Sequence, residues 1–367
     1  MSSETTAQLE QFDRDWIDDA VIGGTFLGGG GGGSPADGHD IGSLAIEYGN
    51  PKILPLDAVD DDSLIITVSA VGAPAATERL VKPADYVRAF ELIRDRVESQ
   101  GDSVAGMITN EMGGAATING FIQSAVTGVP LIDAACNGRA HPTGPMGSMG
   151  LDQGHTTIQT GVGGNPEKNL DVEVEIKATL ETAADTIRQA AQDAGGLVAV
   201  ARNPVSADYI RENAAVGVYE QAVEIGWRIN AATSGTEAAH AVTDLLDGQT
   251  VCHGSVTNVE LQTKDGFDVG RVAVDDVELT FWNEYMTAER DGKRISTFPE
   301  LITVLDGTTG QPITTAEIQS GQDAIVVTVP RKSLSLGAGM KQPELFDPIE
   351  GILGKSVTEY AFAEQAE

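Results

Sequence analysis

Apolar and polar positions follow two different periods along the chain, and the switch between them divides it. Phe12, Trp16, Ile17, Ala20 and Val21, with Leu9 before them, recur at helical spacing and predict an amphipathic helix over residues 6–22. Residues 51–56, 64–68, 104–109 and 129–132 are short apolar runs that read as buried strands. Between them, Tyr86, Val87, Phe90, Ile93 and Val97 line one face of a helix expected over 83–100, and 118–127 reads as another. Strands alternating with helices imply a parallel or mostly parallel sheet. Further on, 172–178 reads as a strand, and 180–194, 207–230 and 237–246 read as helices.

From Gln249 the period becomes two. Residues 251–263, 267–274, 277–283, 301–306 and 324–329 alternate, and Asp265-Gly266, Asp291-Gly292 and Asp306-Gly307 supply turns. This predicts a compact antiparallel unit over about 249–330, a small barrel or sandwich. The expected class is α/β. A layered N-terminal α/β domain, with a mostly parallel sheet, covers 1–165. A C-terminal α+β region over 166–367 holds the antiparallel unit, and a tail from Ser333 to Ala366 packs back on the body.

Composition narrows the partners. Of 367 residues, 55 are acidic and 23 basic, a formal charge of −32. The acids are scattered, so they do not form a disordered tail. Such a balance suits a salt-rich cytosol, where counterions screen self-repulsion. With no basic patch, nucleic acid is not an expected partner. Cys136 and Cys252 are too few and too far apart for a disulfide framework, and no C-x-x-C pair suggests zinc. No segment reads as a signal peptide or a bilayer span, so a cytoplasmic protein with reduced thiols is expected, without membrane association. Apolar β units often meet across subunits, so a homo-oligomer is expected.

Candidate chemistry gathers after strands, where α/β proteins handle ligands. The run from Pro130 to Pro142 brings Asp133, Cys136, Asn137, Arg139 and His141 together just past an apolar stretch. Two other Gly-rich turns follow strands: residues 69–74, with Gly72, and 109–114, with Glu111, Gly113 and Gly114. If the strands are parallel, the three turns meet at one sheet edge. Six consecutive glycines, Gly28, Gly29, Gly30, Gly31, Gly32 and Gly33, leave backbone amides unobstructed and read as a ligand loop. A flexible linker is the other reading of that run. It is not a phosphate-binding P-loop, because no Gly-Lys-Ser/Thr follows.

Several blocks together carry a family resemblance: Gly24 to Gly33, Val71 to Pro74 with Glu78, Glu111 to Gly114, Pro130 to Asp133, Gly138 to Ala140, and Phe298 to Ile302 through Asp306 and Gly310. Their order and spacing resemble the family catalogued as domain of unknown function 917, which is associated with S-methyl thiohydantoin desulfurase and with hydantoin utilisation. The resemblance implies an α/β N-terminal domain, a C-terminal part with a β-barrel, and hydrolysis at a five-membered cyclic diamide or its sulfur analogue. In the desulfurase, water replaces a methylthio group on an sp² ring carbon. The chain departs from the family pattern after the strand: Ala135 stands where the pattern has a second Asp, Cys136 and Asn137 replace Gly and Met, and His141 replaces Phe.

On this basis the chain is expected to be a hydrolase or related lyase of a small cyclic amide-like substrate. Cys136 would be the nucleophile, its thiolate favoured by Arg139 or His141. Asp133 or Glu111 would orient the imidazole or activate water. Amides of the glycine run and of Gly113-Gly114, with Gly72 and Asn137 nearby, would hold the ligand and its developing oxyanion. No cofactor is expected. A metal-assisted version would draw on His39, His141, His155, Asp133 and Glu111. His240 and Cys252-His253 read as structural or surface residues. The rival class is a non-catalytic ligand-binding or accessory subunit of a hydantoin-utilisation system.

Overall fold

A computed structural model describes residues 12–73, 76–152, 154–264 and 267–363. Leu9, Pro74, the Asp265-Gly266 turn and the last residues of the tail lie outside the described residues. The first sheet contains β1 (Ile53–Leu54), β2 (Leu64–Gly72), β3 (Val104–Glu111), β4 (Leu131–Asn137), β5 (Thr156–Gly163), β6 (Val172–Thr179), β7 (Leu197–Ser206) and β8 (Ala215–Val216). Its order is β1-β4-β3-β2-β7-β5-β6, with β8 beside β4. Pairing is parallel through β1, β4, β3 and β2, as the alternation of strands and helices predicts. It turns antiparallel where β7, β5 and β6 join. Strands β6 to β8 follow residue 165, so the first sheet runs across the division expected there.

The helices are α1 (Arg14–Gly28), α2 (Pro35–Tyr48), α3 (Pro83–Glu98), α4 (Phe121–Thr127), α5 (Leu180–Asp193), α6 (Ala207–Asn213), α7 (Val218–Ala231), α8 (Gly235–Leu246), α9 (Asp347–Leu353) and α10 (Thr358–Ala361). Helix α1 outruns its expected end, passing through Gly23 and Gly24. Packing against α7 explains this. A Cβ on Gly23 would lie 1.7 Å from the Ala222 carbonyl oxygen, so the two backbones touch only because side chains are missing there. Asp13 caps the helix, accepting from the Trp16 amide. Helix α2, and strands β5 and β7, were not expected. Pro204 and the positive φ of Asn203 (52°) interrupt the strand pattern of β7.

A second sheet holds β9 (Gln249–Lys264), β10 (Phe267–Val274), β11 (Val277–Trp282), β12 (Glu284–Arg290), β13 (Lys293–Thr297), β14 (Leu301–Asp306), β15 (Pro312–Ile313) and β16 (Asp323–Val329), in the order β13-β12-β11-β10-β9-β16-β14-β15. Every pairing in it is antiparallel. The 16-residue β9 pairs with β16 along its first half and with β10 along its second. The sheet bends along this strand and encloses Val256, Val272, Leu279, Phe281, Val304 and Val326, drawn from both sides of the bend. The ladder does not close among the described residues, so the unit is sandwich-like rather than a barrel. The tail packs back: Phe346, Ile349 and Val357 join Met146, Trp282 and Phe298 in one apolar cluster. No helix among the described residues is long and apolar enough to cross a membrane.

Candidate functional site

The glycine run is the seam between the two sheets. Helix α1 ends at Gly29 (φ 57°), and Gly30, Gly32 and Gly33 also have positive φ, which side chains resist. The Tyr285 amide donates to the Gly29 carbonyl (2.8 Å), and the Thr315 amide donates to that of Gly30 (2.9 Å). The Ala116 amide donates to that of Gly32 (2.9 Å). The run is therefore ordered, with Gly28 to Gly31 buried and Gly32 and Gly33 half-buried, which excludes the linker reading. Among the described residues the amides of Gly32 and Gly33 have no acceptor in the chain.

These two glycines face a cavity of about 90 Å³, lined also by Gly72, Asn110, Glu111, Asn119, His141, Arg202 and Glu284. Strand β3 delivers Glu111 at its C-terminal end. One Glu111 carboxylate oxygen accepts from the His141 amide (3.1 Å) and lies 3.5 Å from His141 Nε2. Burial, against opposing help from the His141 amide and Arg202, raises the Glu111 pKa to about 7. Burial, and then the nearby Arg202, lowers His141 to about 3, so its imidazole is neutral at ordinary pH. Both ring nitrogens lack hydrogen bonds among the described residues. Glu284 enters from the second sheet at the start of β12. Burial, reinforced by Glu111, pushes its pKa well upward. A Cβ on Gly31 would lie 2.2 Å from Glu284 Oε1, so the loop must be bare for this carboxyl to cross it.

The cavity thus unites Glu111, His141, Gly32, Gly33 and Gly72 of the expected set. Gly30 and Gly31 line a separate cavity of about 190 Å³ with Arg79, Asp268 and Thr315. The remaining expected residues lie elsewhere. Strand β4 runs on through Asn137, so Asp133 to Asn137 are strand rather than loop, and alternation sends neighbours to opposite faces. Cys136 is fully buried among Ile65, Ile108, Ile132, Ala134 and Met149, with only Thr67 Oγ1 as a polar partner (3.4 Å). Burial pushes its thiol up to about 11. That argues against the nucleophile assignment: a fully buried thiol that stays protonated has neither charge nor access.

Asp133 faces the other way and accepts from the Tyr219 amide (3.2 Å) at the start of α7. Asn137 receives the Gly337 amide (3.0 Å) and donates to the Met146 carbonyl (3.1 Å), joining β4 to two later turns. Arg139 is fully buried, with its guanidinium 4.6 Å from the Phe298 ring, and donates to the carbonyls of Ala140, Pro299 and Glu300. It latches the first sheet to the second and does not activate a thiol. Gly28, Gly29, Gly113 and Gly114 serve backbone packing, since a Cβ on Gly113 would lie 2.4 Å from the Gly32 Cα.

The histidines of the metal-assisted version are dispersed. His39 pairs with Asp18 (2.9 Å) and His155 is exposed, both away from His141 in the cavity. No three His, Cys, Asp or Glu side chains are gathered for a metal ion among the described residues. Sequence reasoning missed Glu284 and Arg202. Glu284 opens β12, just past the segment read as alternating over 277–283, and Arg202 lies inside an apolar strand. Only an ionisable residue embedded in such a run hinted at either.

Residues 15–170 match the family model described as the S-Me-THD-like N-terminal domain, and residues 178–337 match that of the S-Me-THD-like C-terminal domain. The two models meet between 170 and 178, inside the first sheet. An X-ray crystal structure of a protein from Chromobacterium violaceum aligns over 97% of this chain and 96% of that one, with a TM-score of 0.69 and 19% identity. At that identity the likeness bears on the fold. Among curated proteins none matches.

Proposed function

The chain belongs to the S-Me-THD-like family, and on that premise we propose that it is a hydrolase of a five-membered cyclic amide-like substrate, a hydantoin or an S-methyl thiohydantoin. Glu111 carries the reading: a carboxyl buried at a strand end, with a pKa near 7, opposite two unsatisfied backbone amides. With an S-methyl thiohydantoin, water attacks the ring carbon that bears sulfur. Glu111 takes one water proton and returns it to the ring nitrogen. The second water proton leaves with the thiolate as methanethiol, and the carbon becomes a carbonyl. The Gly32 and Gly33 amides hold the oxygen as it becomes anionic. Neutral His141, 3.5 Å from Glu111, does not compete with it for the water proton, since its own pKa is lowered to about 3. Cys136 has no part in this scheme.

The test is to incubate the purified protein in molar KCl with hydantoins, thiohydantoins and their S-methyl forms, reading released thiol and ring product. Turnover that Glu111→Gln removes supports the reading. Absence of turnover with every ring compound, or full turnover in Glu111→Gln, overturns it. Binding without turnover would favour the accessory-subunit alternative.

A further inference from the structure

Arg202 makes no hydrogen bond or close ion pair of its own among the described residues. It is 3% exposed, on β7, in register with Thr67 of β2 and Gln159 of β5. Its guanidinium Nε is buried without an acceptor. Its nearest carboxyl, Glu111, is itself half-protonated near neutral pH, and a buried guanidinium short of counter-charge is retained where a ligand supplies it. With Arg139, Arg202 is one of two buried arginines among the described residues, and Arg139 already donates to carbonyls.

Its position suggests what that counter-charge belongs to. Arg202 lines the inner cavity that holds Glu111, and also an outer chamber of about 520 Å³ that opens beyond it. Arg188 lines both as well, with its guanidinium 3.9 Å from the Phe267 ring. Glu284 and Asp185 attend Arg188, so the guanidinium at this neck with room for an incoming anion is Arg202. The outer chamber is otherwise apolar, with Ile187, Phe267 and Leu345, and acidic, with Glu181, Asp185 and Glu344. An anion is therefore welcome only at the neck. In a chain of net charge −32, an anionic ligand would be drawn in only by such a local field.

The geometry points to a substrate whose ring carries a carboxylate-bearing arm, with Arg202 receiving the carboxylate while the ring reaches Glu111. The ring part of this inference rests on the function proposed above; the anion site does not.

The probes are hydantoin-5-acetate and its neutral counterpart hydantoin-5-acetamide, of nearly equal size, with succinate and succinamide as ringless controls. Affinities are read by titration calorimetry at fixed KCl, and phosphate serves as an inorganic anion. The wild-type protein should bind the acetate about tenfold or more tightly than the acetamide. Arg202→Gln should shrink that ratio to about twofold, and Arg202→Lys should retain part of it. Equal wild-type affinity for acetate and acetamide overturns the inference, whether or not Arg202→Gln folds. So does a preference that survives in Arg202→Gln, or phosphate binding as tightly as the carboxylates. If no ring compound binds but succinate is preferred to succinamide in an Arg202-dependent way, the anion site stands and the hydantoin reading falls.

Discussion

Glu111 and Cys136 stand at the ends of neighbouring parallel strands, and Glu111 pairs in register with Asn137, one residue beyond the cysteine. Glu111 borders a cavity, and its acid sits near neutrality. Cys136 is walled in by Ile65, Ile108 and Ile132 and stays protonated to about pH 11. Both are reactive residue types at a sheet edge. What separates them is which way the pleat turns each side chain, and whether the strand stops there. Strand β3 ends at Glu111, whereas β4 continues past Cys136. A reactive side chain at a strand end is informative only once the last paired residue is known.

The sharpest test of that contrast exchanges the two residues' importance. Glu111→Gln should lower turnover by about 100-fold or more, while Cys136→Ala should leave it within about twofold in the same assay. A strong loss in Cys136→Ala would reverse the comparison.

Next in size is pH. If Glu111 must be ionised to take a proton, kcat/KM should fall on the acid side with a midpoint near its value of about 7. His141, near 3, contributes nothing in that window. The same shift acts on stability. Glu111 is raised from 4.5 to about 7 on folding, so its protonated form favours the fold. That contribution is complete below 4.5 and is lost as pH rises through 7. Glu111→Gln should therefore be more stable than wild type at pH 8, by about 1–3 kcal/mol in urea unfolding. Equal stability would mean the carboxyl is better solvated than its burial implies.

Smaller effects belong to the cysteine side. Cys136→Ala should cost about 1 kcal/mol through the cavity it leaves. Iodoacetamide should label half-buried Cys252 before Cys136 in the native protein. Faster labelling of Cys136 would mean that the sheet opens there.

Much of the architecture was legible in the sequence. The apolar runs at 64–68 and 104–109 marked β2 and β3, because buried parallel strands need continuous hydrocarbon. Residues 267–274 and 301–306 matched β10 and β14 end to end; β10 is partly exposed, whereas β14 is buried on both faces from Leu301 to Leu305. Strand β4 was read short, since Asp133 and Asn137 look like turn residues. Each instead finds a backbone partner on an adjoining element, which no local pattern reveals. Strand β7 was hidden by Asn203-Pro204. At the site, Glu111, His141 and the glycine run were visible because they sit in small polar clusters. Glu284 arrives from some 170 positions further along the chain, and that proximity exists only after folding.

The six glycines resemble a stretch whose length hardly matters, yet several answer a separate steric demand: Thr315 and Tyr285 crowd Gly30, Glu284 crowds Gly31, Gly113 crowds Gly32 and Ala115 crowds Gly33. Adding or deleting one glycine would leave the composition almost unchanged. Every later glycine would then fall out of step with its neighbour, and the junction would lose its fit. The tract's monotony thus conceals a count that heredity must keep.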